Sequence, residues 1–196
     1  MAPPAPARVS EPTTVITDYA LAVVCIFLGA RLIRHSRFWA LAFLALALAA
    51  LLGGTWHGFW KSDALWKATT LCVGVASFGM VVGSALALTA GTLRAMLVSF
   101  SAIKLAIYTA WMLEHDDFVW VVADTGSALL IVGALHLWKL NGWMLAGVAL
   151  SVLAGLAQAG GVALHEHFNH NDLYHVIQTA AMVLLYRGVR RYSEER

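Results

Sequence analysis

Apolar blocks of bilayer-spanning length, each cut off by a few polar residues, take up almost the whole of this 196-residue chain. Crossing lipid hydrocarbon takes about 20 residues wound as a helix, because the bilayer offers the backbone no hydrogen-bond partners. The sequence is 60% hydrophobic and only 12% charged, with a mean hydropathy of +0.73, so a water-soluble domain would lack its charged coat. Reading blocks against breaks gives seven spans: roughly Thr14–Ile33, Phe38–Trp60, Ala64–Ala90, Arg94–Leu113, Phe118–Trp138, Gly142–Leu164 and Asp172–Val189. The expected fold is therefore all-α: a seven-transmembrane-helix bundle over residues 14–190, a disordered Pro- and Ala-rich tail at 1–13, and a short C-terminal tail at 191–196. The first block reads as a membrane helix and not a cleaved signal, since it has full span length and no small-residue cleavage site ends it. Short connections make consecutive helices antiparallel neighbours. Gly79 and Gly83, four apart in the third span, suit close helix contact.

Basic residues set the orientation. Arg31, Arg34 and Arg37 fill the first loop, Arg94 the third and Lys139 the fifth, while Arg187, Arg190, Arg191 and Arg196 come at the end of the chain. The other face carries Arg8, Lys61, Lys67 and the acidic run Glu114-His115-Asp116-Asp117. The positive-inside rule then puts the N-terminus outside and the C-terminus in the cytoplasm, with a bacterial inner (plasma) membrane as the expected setting. Cys25 and Cys72 sit in apolar blocks of non-adjacent spans and read as packing residues. Trp56, Trp60, Trp66, Trp111 and Trp120 fall near outer span ends, where belt anchoring accounts for them.

Alternating topology gathers the chemically capable residues at the outer surface. His57 ends the second span. His165, His167 and His170 lie in the last outer loop, His175 is one turn into the seventh span, and Asp18 is one turn into the first. The loop histidines read first as a solvated polar loop, and Asn171 or Asp172 as a cap for the last helix. His57 and His175 differ, because an ionisable side chain inside a span has to be satisfied by a partner, a cavity or a metal. His35 and His136 read as interfacial. Asp124, deep in the fifth span, faces Lys104 when the fourth and fifth spans fold back on each other, and an ion pair accounts for both. Isolated burial of either charge costs about 3 kcal/mol on insertion scales.

With these residues in view, the layout resembles the CREST superfamily of seven-helix membrane proteins, which includes alkaline ceramidases and the progestin and adipoQ receptors. That group is marked by an early helix carrying a Ser and then a His, by an Asp, and by a His-x-x-x-His pair opening the last helix. His57 matches the early histidine and His175 the final one. The position four before His175 is Asn171, flanked by His170 and Asp172, and Thr55 is the hydroxyl nearest His57. The acidic match is open among Asp18, Asp63 and Asp124. The resemblance implies a zinc ion on His57 and His175, completed by His170 or Asp172, with Asp18 oriented on a ligand's second ring nitrogen and Thr55 and Asp124 as further catalytic candidates. It implies hydrolysis of a membrane lipid's amide or ester bond, ceramide-like by analogy.

The rival reading is non-enzymatic: a sensor or carrier whose outer histidines bind metal or titrate with pH. A retinal protein would need a lysine in the last span, and Asp172–Val189 has none. Bis-histidine haem between His57 and His175 is the other cofactor arrangement considered. Nothing resembles a phosphate loop, a serine triad or a nucleic-acid surface, so membrane lipids are the expected partners.

Overall fold

Helices start and stop where a residue ahead of or behind them takes over the unsatisfied backbone groups. The computed structural model describes residues 9–194; the remainder of both expected tails, residues 1–8 and 195–196, lies outside the described residues. Seven helices follow: α1 (Pro12–Leu32), α2 (Arg37–Gly58), α3 (Asp63–Leu88), α4 (Gly91–Glu114), α5 (Phe118–Trp138), α6 (Gly142–Ala159) and α7 (His170–Glu194). Pro12 opens α1, a position where its missing N–H is no loss. Ser62 caps α3 by accepting from the Leu65 N–H at 3.3 Å, and Asn141 caps α6 by accepting from the Met144 N–H at 3.3 Å.

Helix ends lie within three residues of the sequence expectation except at two places: α7 runs on to Glu194, past the expected Val189 and into the expected 191–196 tail, and α6 stops early. The sixth helix ends at Ala159, short of Leu164, because Gly161 takes φ +62° and a Schellman arrangement closes the helix there. Its two bonds run from the Val162 N–H to the Ala157 carbonyl and from the Gly161 N–H to the Gln158 carbonyl. At the other end of the chain, residues 9–13 are engaged. Helix α1 begins at Pro12, and Ser10 ahead of it hydrogen-bonds through its N–H to the Gly58 carbonyl at 3.2 Å.

Six helices, α1 to α6, are long and apolar enough to cross a membrane. The last helix is not among them, because Asp172, Arg187, Arg190 and Arg191 lower its apolar content. In packing, α1, α2, α3, α5, α6 and α7 touch in that order, and α7 returns to α1 to close the ring. One apolar core runs through these six, with Leu21, Trp39, Phe43, Val81, Val132, Met144 and Leu185 buried in it. A Cβ on Gly79 would stand 2.7 Å from the Phe38 carbonyl oxygen, so a side chain there would force α2 away from α3.

Helix α4 lies outside the ring. It packs on α3 and barely meets α5, contrary to the expectation that every consecutive pair would be neighbours. Its own small cluster is Tyr108 and Met112 against Val121 of α5. Polar ties hold it, among them one from the Lys67 ammonium of α3 to the Leu113 carbonyl. The Tyr108 hydroxyl donates to the Thr70 carbonyl at 2.9 Å, and Lys104 pairs with Asp124, also donating to that residue's carbonyl at 2.8 Å. Since the pair is largely buried, removing one partner strands the other charge, at a cost of about 3–5 kcal/mol. Lys104→Met is expected to lower unfolding stability by about that amount, and adding Asp124→Asn should recover most of it. Denaturant unfolding of the single and double variants in detergent checks this.

Candidate functional site

The first turns of α1 and α7 bring together the polar residues that the outer ends of the helices carry. Thr14, Thr17 and Asp18 stand at i, i+3 and i+4 and so share one face of α1. Asp172 and His175 share a face of α7 in the same way. Where the faces meet, the Thr14 hydroxyl donates to Asp172 Oδ1 at 2.8 Å. The Asn169 N–H donates to Asp172 Oδ2 at 2.8 Å, so both oxygens of this carboxylate are used.

His175 is held on both sides. Its Nε2 lies 3.1 Å from Asp18 Oδ1 and its Nδ1 lies 3.1 Å from the Thr17 hydroxyl. The result is a hydroxyl–imidazole–carboxylate row across two helices. Asp18 is 3% exposed, and its Oδ2 is buried with no hydrogen-bond partner among the described residues. A buried acceptor left in that state costs about 1–3 kcal/mol unless a proton, water or ligand meets it. Gly54 lets α1 come this close to α2, since a Cβ there would stand 2.9 Å from the Asp18 Cβ.

Nearer the surface a second group ties α1 to α2. His57 Nδ1 lies 2.9 Å from Glu11 Oε2, and the Lys61 ammonium donates to Glu11 Oε1 at 2.9 Å. The Ser10 hydroxyl donates to the His57 carbonyl. The Trp56 ring stands edge-on to His57, with centroids 5.0 Å apart. Partial burial pushes the Glu11 carboxyl up, but the Lys61 hydrogen bond and the nearby His57 outweigh it and hold the group below its ordinary 4.5. His57 and His175 do not bond each other: His57 holds Glu11, and His175 holds Asp18 and Thr17.

The remaining candidates are scattered. Thr55 hydrogen-bonds Tyr19 at 3.0 Å and its own helix at the Leu51 carbonyl, and makes no bond to His57 or His175. Asp124 belongs to the Lys104 pair on α4 and α5. His170 opens α7, half-buried. His165 and His167 stay in the exposed loop, with rings 5.5 Å apart. His136, expected at the interface, is fully buried, with Nε2 3.3 Å from the Ser84 hydroxyl.

A zinc ion needs about three protein ligands with open lone pairs. His57 has the arrangement a metal-bound imidazole needs, with Nδ1 on a carboxylate and Nε2 without a hydrogen bond among the described residues. His175, however, has both nitrogens engaged and Asp172 both oxygens. Among the described residues no three His, Cys, Asp or Glu side chains come together to hold a metal ion. As arranged, these residues do not fit a three-ligand zinc. The sequence reasoning had named Asp18, His57, His175 and Asp172. It missed Glu11, Thr14, Thr17 and Asn169; the i, i+3, i+4 spacing of Thr14, Thr17 and Asp18 was the available signal.

Six membrane-length helices around a polar cluster define a multi-pass helical membrane protein. The chain belongs to the DUF6962 family, a family of unknown function, whose model matches residues 13–194. No curated protein and no solved structure matches it.

The Glu11 tie makes a pH prediction. With its folded value depressed, the carboxylate's contribution is present above 4.5 and is lost as pH falls through the lower folded value. The group is partly exposed, so the effect should stay below about 1 kcal/mol. Acid unfolding curves should show it, and Glu11→Gln should remove that part of the pH dependence.

Proposed function

We propose that the chain is a seven-spanning membrane protein, N-terminus outside and C-terminus cytoplasmic, whose outer-end cluster takes up and releases protons. On this reading it is a non-enzymatic, pH-responsive sensor or carrier of a bacterial inner membrane. Support for the seventh crossing comes from α7 itself. Its 25 residues reach about 37 Å at 1.5 Å per residue, and it packs between α6 and α1. The excess of arginines at one end of the bundle supports the orientation.

The observation that carries the proton reading is His175 clamped between Asp18 and Thr17, with the second Asp18 oxygen buried and unpartnered. A carboxylate–imidazole pair in a low-dielectric site can hold one proton or two, and each state asks for different partners around it. The pair joins α1 to α7, so a change of protonation changes what holds those helices together. Glu11, His57 and Lys61 lie on the solvent side of the pair and offer polar groups between it and bulk water.

Zinc-dependent hydrolysis of a lipid amide or ester is the second reading, drawn from the resemblance. One observation favours it: His57 has its Nδ1 on a carboxylate and its Nε2 open. His57, His175, His170 and Asp172 are its ligand candidates. Asp18, Thr55 and Asp124 are its catalytic ones.

Infrared difference spectra between pH 5 and 8 separate the two. The proton reading expects a carboxylic C=O band that vanishes in Asp18→Asn and shifts in His175→Gln, with no zinc in protein purified without added metal. A stoichiometric zinc lost in His57→Ala and His175→Ala, with no band from Asp18, would replace it with the hydrolase.

A further inference from the structure

The groove between α1 and α2 that holds Asp18 is crossed, further out, by one short segment of chain. Asp18 lies against Gly53 and Gly54 of α2. One helical turn outward on that face of α2 stands His57, four residues beyond Gly53 and three beyond Gly54. On α1, Glu11 and Thr14 precede Asp18 by seven and four residues and share its face, which puts Glu11 about 10 Å further out. The Glu11–His57 contact at 2.9 Å therefore spans the groove on the solvent side of the carboxylate. Exposure falls along this line. The side chains of Glu11 and His57 are 27% and 15% exposed, and those of His175 and Asp18 are 10% and 4%.

The side chains that hold the segment reach across to α2 and the loop after it. Glu11 stands at the N-cap of α1, yet its carboxylate makes no capping bond there. Its two oxygens go instead to His57 and to the Lys61 ammonium. Ser10 adds its N–H to the Gly58 carbonyl at 3.2 Å and its hydroxyl to the His57 carbonyl. Lys61 is in turn held over the Trp56 ring at 5.0 Å. These ties are few and lie near the surface, so they can open locally while the apolar core stays intact.

We propose that Ser10 and Glu11 form a strap that gates water access to the Asp18–His175 pair. Fastened to His57 and Lys61, it seals the groove; released, it opens the groove to the outer solution. This rests on the proton reading above and adds how the pair is reached: protons arrive through water, and the strap sets how often that water gets in.

The test is thiol labelling of full-length protein in liposomes, with Cys25→Ala and Cys72→Ala as the background. Gly53→Cys reports on the pair, because a Cβ there would meet Thr69 Cγ2 at 3.6 Å and both Asp18 carboxylate oxygens at 3.7 Å, which are ordinary contact distances. Asp18→Cys gives the same comparison should that variant not fold. Glu11→Gln should raise the labelling rate of a charged, membrane-impermeant methanethiosulfonate about fivefold and leave that of a lipid-soluble maleimide unchanged. Glu11→Lys should open the strap at least as far, and adding Lys61→Glu should restore the slow rate. Lys67→Gln, at the same face of the bundle but off the strap, should have no effect. The strap is overturned if the charged reagent ignores Glu11→Gln, if Lys67→Gln speeds it equally, or if both reagents speed up together. Labelling does not depend on whether Asp18 carries a proton, so the proton reading, tested by its infrared band, fails separately.

Discussion

Hydrocarbon gives a polar side chain no partner, so whatever polarity a membrane bundle carries inward has to be matched within the bundle. In this chain that requirement falls on Asp18 among others, a carboxylate 3% exposed on the first helix, and one of its oxygens is met by His175 on the last. The pair links the two ends of the sequence. With Thr14 and Asp172 beside it, it joins α1 to α7 and thereby closes the six-helix ring. The glycine at position 54 of α2 follows from the same constraint, since a Cβ there would crowd the side chains of Asp18 and Tyr19.

A second consequence concerns α4. It contributes little apolar surface to the ring and is held to its neighbours by a buried ion pair and by hydrogen bonds from Tyr108 and Lys67. Directional polar contacts therefore do for α4 what apolar burial does for the other six. At the basic end the match is incomplete, because the buried His136 keeps its Nδ1 without a hydrogen-bond partner among the described residues. Asp18 Oδ2 and His136 Nδ1 are, with Trp39 Nε1, Asp124 Oδ2 and Gln158 Oε1, buried atoms without a hydrogen-bond partner among the described residues.

Helix number and most boundaries were legible in the sequence because apolar block length is set by the bilayer. The Phe118–Trp138 helix matches residue for residue. The early end of α6 was written in Gly160-Gly161, a stop signal that an apolar run through Leu164 hides. Lys104 and Asp124 could be paired in advance because their distances from the intervening turn are similar. Which helix stands outside the ring could not be read, since α4, though less apolar than α3 and α5, is still apolar enough to span a membrane and packing is what sets it apart. Depth was legible for His57, His175 and Asp18, but rotation about each helix axis was not. Depth alone gave no reason to prefer Asp18 over His57 as the partner of His175, or to expect Glu11, assigned to a tail, on His57.

The most direct test of this account is a double-mutant cycle on unfolding stability with Asp18→Asn, His175→Gln and the combined variant. Side chains in direct contact at a buried site should show a coupling energy of about 1–3 kcal/mol. Additive losses, with coupling below about 0.5 kcal/mol, would mean that the two side chains act independently and that the ring is closed by something else.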